Sequence, residues 1–302
     1  MTRALSLLLV LSFFPLTVAA EQPNPWLLLP WGGDGPTLRA GGPEMQAAGP
    51  AAIAVDGDSL IIADTAAKRV LRVGPDGAVA AESVPVAVLD LAVGPEGQLA
   101  LLGAGLDRVF WRPAGGQWAE EMLSLKERPR RIAWDHRGVL WLGLVDGSAV
   151  PLLEAAVLPG KRALSLAGSP AHAWARREAS GKAVIWVWPW DHPASFKDSG
   201  AERVEISTTP GRGLVMPLAR SGEDRFDVLV EWMPDDADTV HAEVRRMDRA
   251  GKTVWSFAWA RDDVAPVYRP AAVARGGALY VMRALPDGLA IFRFDAGKVV
   301  AP

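Results

Sequence analysis

The chain has 302 residues and a near-balanced charge, with 32 Lys+Arg against 35 Asp+Glu and a formal net charge of −3. Charges of both signs are scattered along it, which argues against nucleic acid as a partner. Cysteine is absent, and this excludes a disulfide framework, thiolate metal ligands, a thiol nucleophile and the acceptor thiol that lipid attachment after export requires.

Met1 to Ala20 carries a single cation at Arg3, an apolar run from Ala4 to Val18, and small residues at Val18 and Ala20 ahead of Glu21. This is the pattern of a secretory signal peptide. Pro15 interrupts the run, which falls short of the ~20 apolar residues that span a bilayer. The expectation is an exported bacterial chain that begins near Glu21, periplasmic or secreted and without a membrane span after cleavage. Residues 21–302 would form one domain, acting as a monomer. Trp26 to Trp31, WLLLPW, is an isolated apolar run. The stretch from Gly32 to Gly49 is rich in glycine and proline and reads as a surface connection.

Pro50 to Gly77 contains one full unit of a repeat. Ile53 to Val55 and Leu60 to Ala63 are short apolar runs joined by Asp56-Gly57-Asp58, a turn suited to antiparallel strands. Lys68 to Val73 then alternates charged and aliphatic residues, and Pro75-Asp76-Gly77 ends the unit. A second copy runs through Asp90 to Val93, Gly94 to Gly97, Gln98 to Leu102 and Asp107 to Trp111, displaced by roughly 39 residues. A third runs through Arg131 to Trp134, Asp135 to Gly138, Val139 to Leu144 and Gly147 to Leu152, displaced by about 41 more. The middle of the chain, between about 160 and 262, is less regular, with longer strands at Ala183 to Trp188, Phe226 to Trp232 and Ala242 to Asp248. The unit returns at Pro270 to Ala274, Ala278 to Met282 and Leu289 to Phe294.

Such spacing predicts an all-β fold, a single β-propeller of four-stranded blades beginning near residue 45. The first and last copies lie about 220 residues apart, five steps of about 44, which gives six blades; seven would need steps near 37. A propeller must close, because open sheet edges invite unwanted pairing. Residues 26–31 are predicted to supply the outer strand of the last blade.

These residues resemble the NHL-repeat family of β-propellers. The matching positions are Pro50, Ile53-Ala54-Val55-Asp56, Gly57, Leu60 to Asp64 and Arg69-Val70, preceded by a glycine-rich lead-in at Gly32 to Pro36 and Ala47 to Pro50. Ala66-Ala67-Lys68 departs from the Gly-Asn-Asn common in that loop. The resemblance covers roughly half of the chain and implies a protein-binding platform. Related six-bladed propellers include metal-dependent lyases and lactonases with a site at the central channel, and fold alone does not choose between the two.

The residue-level candidates are few. Asp64 and Arg69 read as turn and inter-strand partners. The patch Arg128 to Arg131, RPRR, reads as a solvated turn between blades. The paired acids Asp235-Asp236 and Asp262-Asp263 read as loop residues. His136, His172, His192 and His241 are out of phase with the repeat, so no shared transition-metal site is expected. No cofactor is expected either, although the sequence leaves open a calcium or other divalent cation held by carboxylates and carbonyls in the channel. Tryptophan is abundant, 13 copies against 2 tyrosines. Trp186, Trp188 and Trp190 alternate in IWVWPW and would share one face of a strand. They either pack between blades or, extended by Asp191 and His192, form a stacking platform for a sugar or peptide; Pro189 favours an edge position. No nucleophile elbow, P-loop, dinucleotide fingerprint or His-Glu-x-x-His occurs. The leading expectation is a binding or scaffolding module for a protein or envelope component. The alternative is a lactonase- or lyase-type enzyme with a divalent cation at the channel.

Overall fold

The computed structural model describes residues 23–125, 127–134, 138–144, 149–152, 164–165, 171–178, 181–189, 202–210, 212–221, 225–236, 238–295 and 298–299. The expected signal peptide lies outside them.

In chain order the strands are β1 (Leu27–Leu29), β2 (Pro50–Asp56), β3 (Ser59–Asp64), β4 (Arg69–Val73), β5 (Val79–Ser83), β6 (Val88–Val93), β7 (Leu99–Gly103), β8 (Arg108–Arg112), β9 (Ala119–Met122), β10 (Pro129–Trp134), β11 (Leu140–Leu144) and β12 (Ala149–Pro151). The second half continues with β13 (Leu164–Ser165), β14 (Ala171–Glu178), β15 (Lys182–Pro189), β16 (Glu202–Ser207), β17 (Arg212–Ser221), β18 (Arg225–Met233), β19 (His241–Asp248), β20 (Thr253–Ala260), β21 (Ala271–Val273), β22 (Leu279–Leu285), β23 (Gly288–Asp295) and β24 (Lys298–Val299).

These strands form six antiparallel sheets among the described residues, five of them taken in strict chain order: β2 to β5, β6 to β9, β10 to β12, β13 to β16 and β17 to β20. The sixth is β21, β22 and β23, with β1 and β24 both paired to the outer side of β23. First strands of successive sheets touch in turn, β2 to β6 to β10 to β13 and β17 to β21, with β14 meeting β17 and β21 returning to β2. The sheets therefore stand in a closed ring. Closure follows the sequence expectation: Leu27, Leu28 and Leu29 lie opposite Ile291, Ala290 and Leu289. Leu29 is buried in the cluster that joins the last sheet to the first.

Burial explains why the repeat reads as it does. Middle strands are covered on both faces by neighbouring sheets, so β7 and β11 are buried at every residue and carry continuous apolar runs. Outer strands face solvent, and β9 exposes Glu120, Glu121 and Met122. The apolar clusters lie between sheets, for example Leu91, Leu101 and Phe110 against Ile61 and Val70. The aromatic-rich region packs likewise, with Phe257 and Trp259 of β20 set against Phe292 and Phe294 of β23.

Local chemistry behaves as the repeat predicts at most turns. Gly57 takes φ +59° between β2 and β3, and Asp76 Oδ1 accepts from Ala78 N at 3.1 Å to hold the turn after β4. In the loop between β3 and β4, Lys68 takes the left-handed φ of 52°, a conformation that asparagine adopts more readily than lysine. Residues 32–34 of the glycine-rich lead-in are exposed, but Gly35 and Pro36 are buried. The connection is tied down as well: Arg69 donates to Gly35 O, and Thr37 N donates to Asp64.

Candidate functional site: the mouth of the ring

Each first strand starts at the same end of the ring, termed the mouth. Three of these strands are irregular at the same repeat position. The register skips Ala51 between Pro50 and Ala52 in β2, Leu89 between Val88 and Asp90 in β6, and Arg130 between Pro129 and Arg131 in β10. A bulge places two residues opposite one and re-aims a side chain. All three skipped residues line a cavity of about 480 Å³ at the mouth, together with Ala47, Met216 and Val267 as apolar wall and Thr65, Glu231, Arg261 and Tyr268 as polar wall.

The cavity carries charge in a specific arrangement. Arg261 donates to Glu231 Oε1 and to Val267 O, and its Nε lies 3.3 Å from Asp263. Burial pushes the Glu231 carboxyl upward despite Arg261 and Arg130, which pull it down. Burial also raises Asp263, which accepts from Ala284 N at 2.8 Å. The Arg130 guanidinium, by contrast, has no hydrogen-bond partner among the described residues.

Beneath the cavity the segment before β21 crosses the ring. Tyr268 N and Arg269 N both donate to Ala51 O, and the Tyr268 hydroxyl donates to Arg130 O. Arg269 then reaches three sheets. Its backbone bridges Ala52 in parallel, and its guanidinium bonds Leu91 O at 2.7 Å, Asp90 Oδ2 at 2.7 Å and Ile132 O at 2.8 Å. Asp90 is fully buried and also accepts from Ile132 N at 2.9 Å. Below this strap lies a smaller cavity of about 140 Å³, lined by Arg131, Trp134, Pro217, Arg269 and apolar residues of β2, β6 and β21.

These positions correct the sequence reading of RPRR. Arg130 and Arg131 are not a solvated turn; they belong to β10 and face the two axial cavities. The signal was present in the repeat, since Arg131 aligns with Asp90 of the second unit, but a run of cations looks the same in a turn and on a strand. Asp64 and Arg69 do act as inter-strand partners, opposite one another in register and joined at 2.8 Å, with Asp64 fully buried. Asp235-Asp236 and Asp262-Asp263 do fall in loops, though the Asp263 side chain is almost fully buried and pairs with Arg261.

Trp186 and Trp188 lie on β15, opposite Trp174 and His172 of β14. Trp186 is partly buried. β15 is an interior strand of its sheet rather than an edge, but its pairing with β16 stops at Val187, so Pro189 lies past the paired stretch on that side. Trp190, Asp191 and His192 lie outside the described residues, as does His136. His241 stacks on Trp232 with centroids 5.4 Å apart. Among the described residues no group of three or more His, Asp or Glu converges.

No protein-family model and no curated protein matches the chain. Solved structures match it in shape. The calcium-binding protein regucalcin from Agrobacterium tumefaciens aligns over 93% of this chain and 97% of its own, with a TM-score of 0.53 and 11% identity. The chain is a β-propeller. Virginiamycin B lyase from Staphylococcus aureus covers 83% of each chain at a TM-score of 0.45 and 14% identity, and a streptogramin B lyase covers 85% of this chain and 97% of its own at 0.47 and 11%. At these identities the likeness is one of fold.

Proposed function

We propose that this propeller is an exported, NHL-like binding module of the cell envelope, which receives a carboxylate-bearing segment of a partner protein end-on in its mouth cavity. The observation that carries this reading is Arg130, a guanidinium with no hydrogen-bond partner among the described residues, set in a largely apolar pocket that the Tyr268-Arg269 strap floors. A guanidinium in partly desolvated surroundings suits a carboxylate, which it can engage through two parallel hydrogen bonds. The apolar wall would hold the adjoining side chains. Trp186, Trp188, Trp190, Asp191 and His192 remain a proposed second contact on the irregular fourth sheet. The test is capture from an envelope extract by the wild type and by Arg130→Met in parallel. A partner held by the wild type and released by the variant, with melting points equal, supports the reading. An identical captured set sinks it.

A second reading, the lactonase- or lyase-type enzyme, is favoured by the fold shared with calcium-binding regucalcin. The described donors do not suit a divalent cation: Glu231 and Asp263 are engaged by Arg261, Asp90 by Arg269, and Arg130 and Arg131 face the same axis. Elemental analysis of protein purified without chelators discriminates. A stoichiometric divalent metal would move the assignment to the enzyme.

A further inference from the structure

Arg131 lines the axial cavity below the strap and has no counter-charge of its own among the described residues. Its hydrogen bonding to them consists of one long contact, 3.4 Å to Pro217 O, and its Nε has no partner. Beyond burial, the groups acting on it are Arg269 and Arg130, which oppose its charge, and Asp90 and Tyr268, which favour it. Asp90 is already committed to Arg269 and to Ile132 N. Two guanidinium groups at this level, Arg131 and Arg269, therefore share one carboxylate, while Arg130 lies in the mouth cavity with Glu231. Burial, and after it the Arg269 charge, brings Arg131 down to about 9, so the group is still protonated at neutral pH.

The hydrogen-bond balance points the same way. Around this cavity three buried donors have no partner among the described residues, the Nε–H groups of Arg131 and Arg269 and the indole N–H of Trp134; against them stands one buried acceptor, Asp90 Oδ1. Water could satisfy hydrogen bonds but would leave the net positive charge in a low-dielectric site. The cavity of about 140 Å³ that Arg131, Arg269 and Trp134 line has room for a monatomic anion and water, and its other walls are largely apolar.

We propose that the axial cavity below the strap is a small-anion site, in which Arg131, with Arg269 and Trp134 beside it, holds a halide that neutralises the channel. It is separate from the mouth cavity and independent of the binding function proposed there. The ion is a structural ligand: it binds the closed ring and not the unfolded chain, so it stabilises by mass action.

The experiment is thermal unfolding of the purified protein in chloride, titrated against gluconate at constant ionic strength, since gluconate is too large for the cavity. The expected result is a rise in Tm that begins near the dissociation constant and continues logarithmically above it, roughly 2–4 °C per tenfold of chloride. Arg131→Met should abolish that rise, and Arg130→Met should keep it. Crystals grown in bromide supply a readout that needs no variant, an anomalous peak against the Arg131 guanidinium. Equal Tm in both salts, an undiminished response in Arg131→Met, a response lost only in Arg130→Met, or no bromide peak at Arg131 would each overturn the proposal.

Discussion

Arg269→Met should be among the most damaging single changes in this protein, and its cost can be worked from the contacts of the strap. The substitution removes the bonds to Leu91 O and Ile132 O and leaves Asp90, fully buried, without its ion-pair partner. Breaking one side of a buried pair costs about 3–5 kcal/mol, because the surviving charge loses its compensation. Arg131 also feels the Asp90 carboxylate and offers partial replacement, which sets the expected loss near the lower end, about 3 kcal/mol. For a chain of this size that corresponds to a fall in Tm of roughly 6–12 °C. Denaturant unfolding followed by tryptophan fluorescence reads the free energy directly. The companion variant Asp90→Asn/Arg269→Met has no stranded charge and keeps an acceptor for Ile132 N. It should regain about 1–2 kcal/mol relative to the single variant. A single variant that melts with the wild type, or a double variant that is no better than the single, would refute the account of the strap as a charge-bearing tie across three sheets.

Closure is tested by Leu29→Ala, which truncates a buried side chain in the pairing of β1 with β23 and should cost about 2–4 kcal/mol; deletion of residues 21–30 should destabilise the whole ring, and a truncated chain that melts like the full one would count against closure. Glu231 and Asp263 give a signed pH dependence. Burial raises both folded-state values, so from the ordinary carboxylate range near pH ~4 up to those raised values the folded chain holds protons that the unfolded chain has lost. Stability therefore falls as pH rises through that window. Glu231→Gln should flatten part of the fall, and an unchanged slope in denaturation curves between about pH 4 and 7 would contradict the burial argument. Trp186→Ala should cost less than the ~3–5 kcal/mol of a fully buried tryptophan, because Trp186 is only partly buried; a full-sized loss would assign it wholly to packing between sheets.

The ring was legible because its signal is repetition. Pro50 to Gly77, the steps of roughly 40 residues and the isolated leucines before the first unit all follow from one requirement, that each sheet be covered on both faces and the last edge be paired. The second half was harder to read. β17 to β20 are long and their sheet buries charge, with Asp227 and Arg246 paired at 2.8 Å and Arg246 reaching Gly277 O of the next sheet. Charged residues inside a strand interrupt the apolar period by which strands are recognised.

The mouth was hidden for a different reason. Alternation assigns side chains to faces only while the register holds, and the register breaks at Ala51, Leu89 and Arg130. Two of those breaks carry apolar residues and go unnoticed in the sequence; the third puts consecutive arginines at the axis, where a regular strand would send one to each face. In register with the repeat, the position after the break holds Ala52, Asp90 and Arg131 in the first three units, and Arg269 meets all three: it bridges the first, pairs with the second and crowds the third. The chemistry at the centre of this ring is thus set by which residue each unit carries at one equivalent position. Similarity between units, which reveals the fold, does not register it. The informative comparison is between units at that position, where an alanine, an aspartate and an arginine occupy one structural role and the difference among them makes the site.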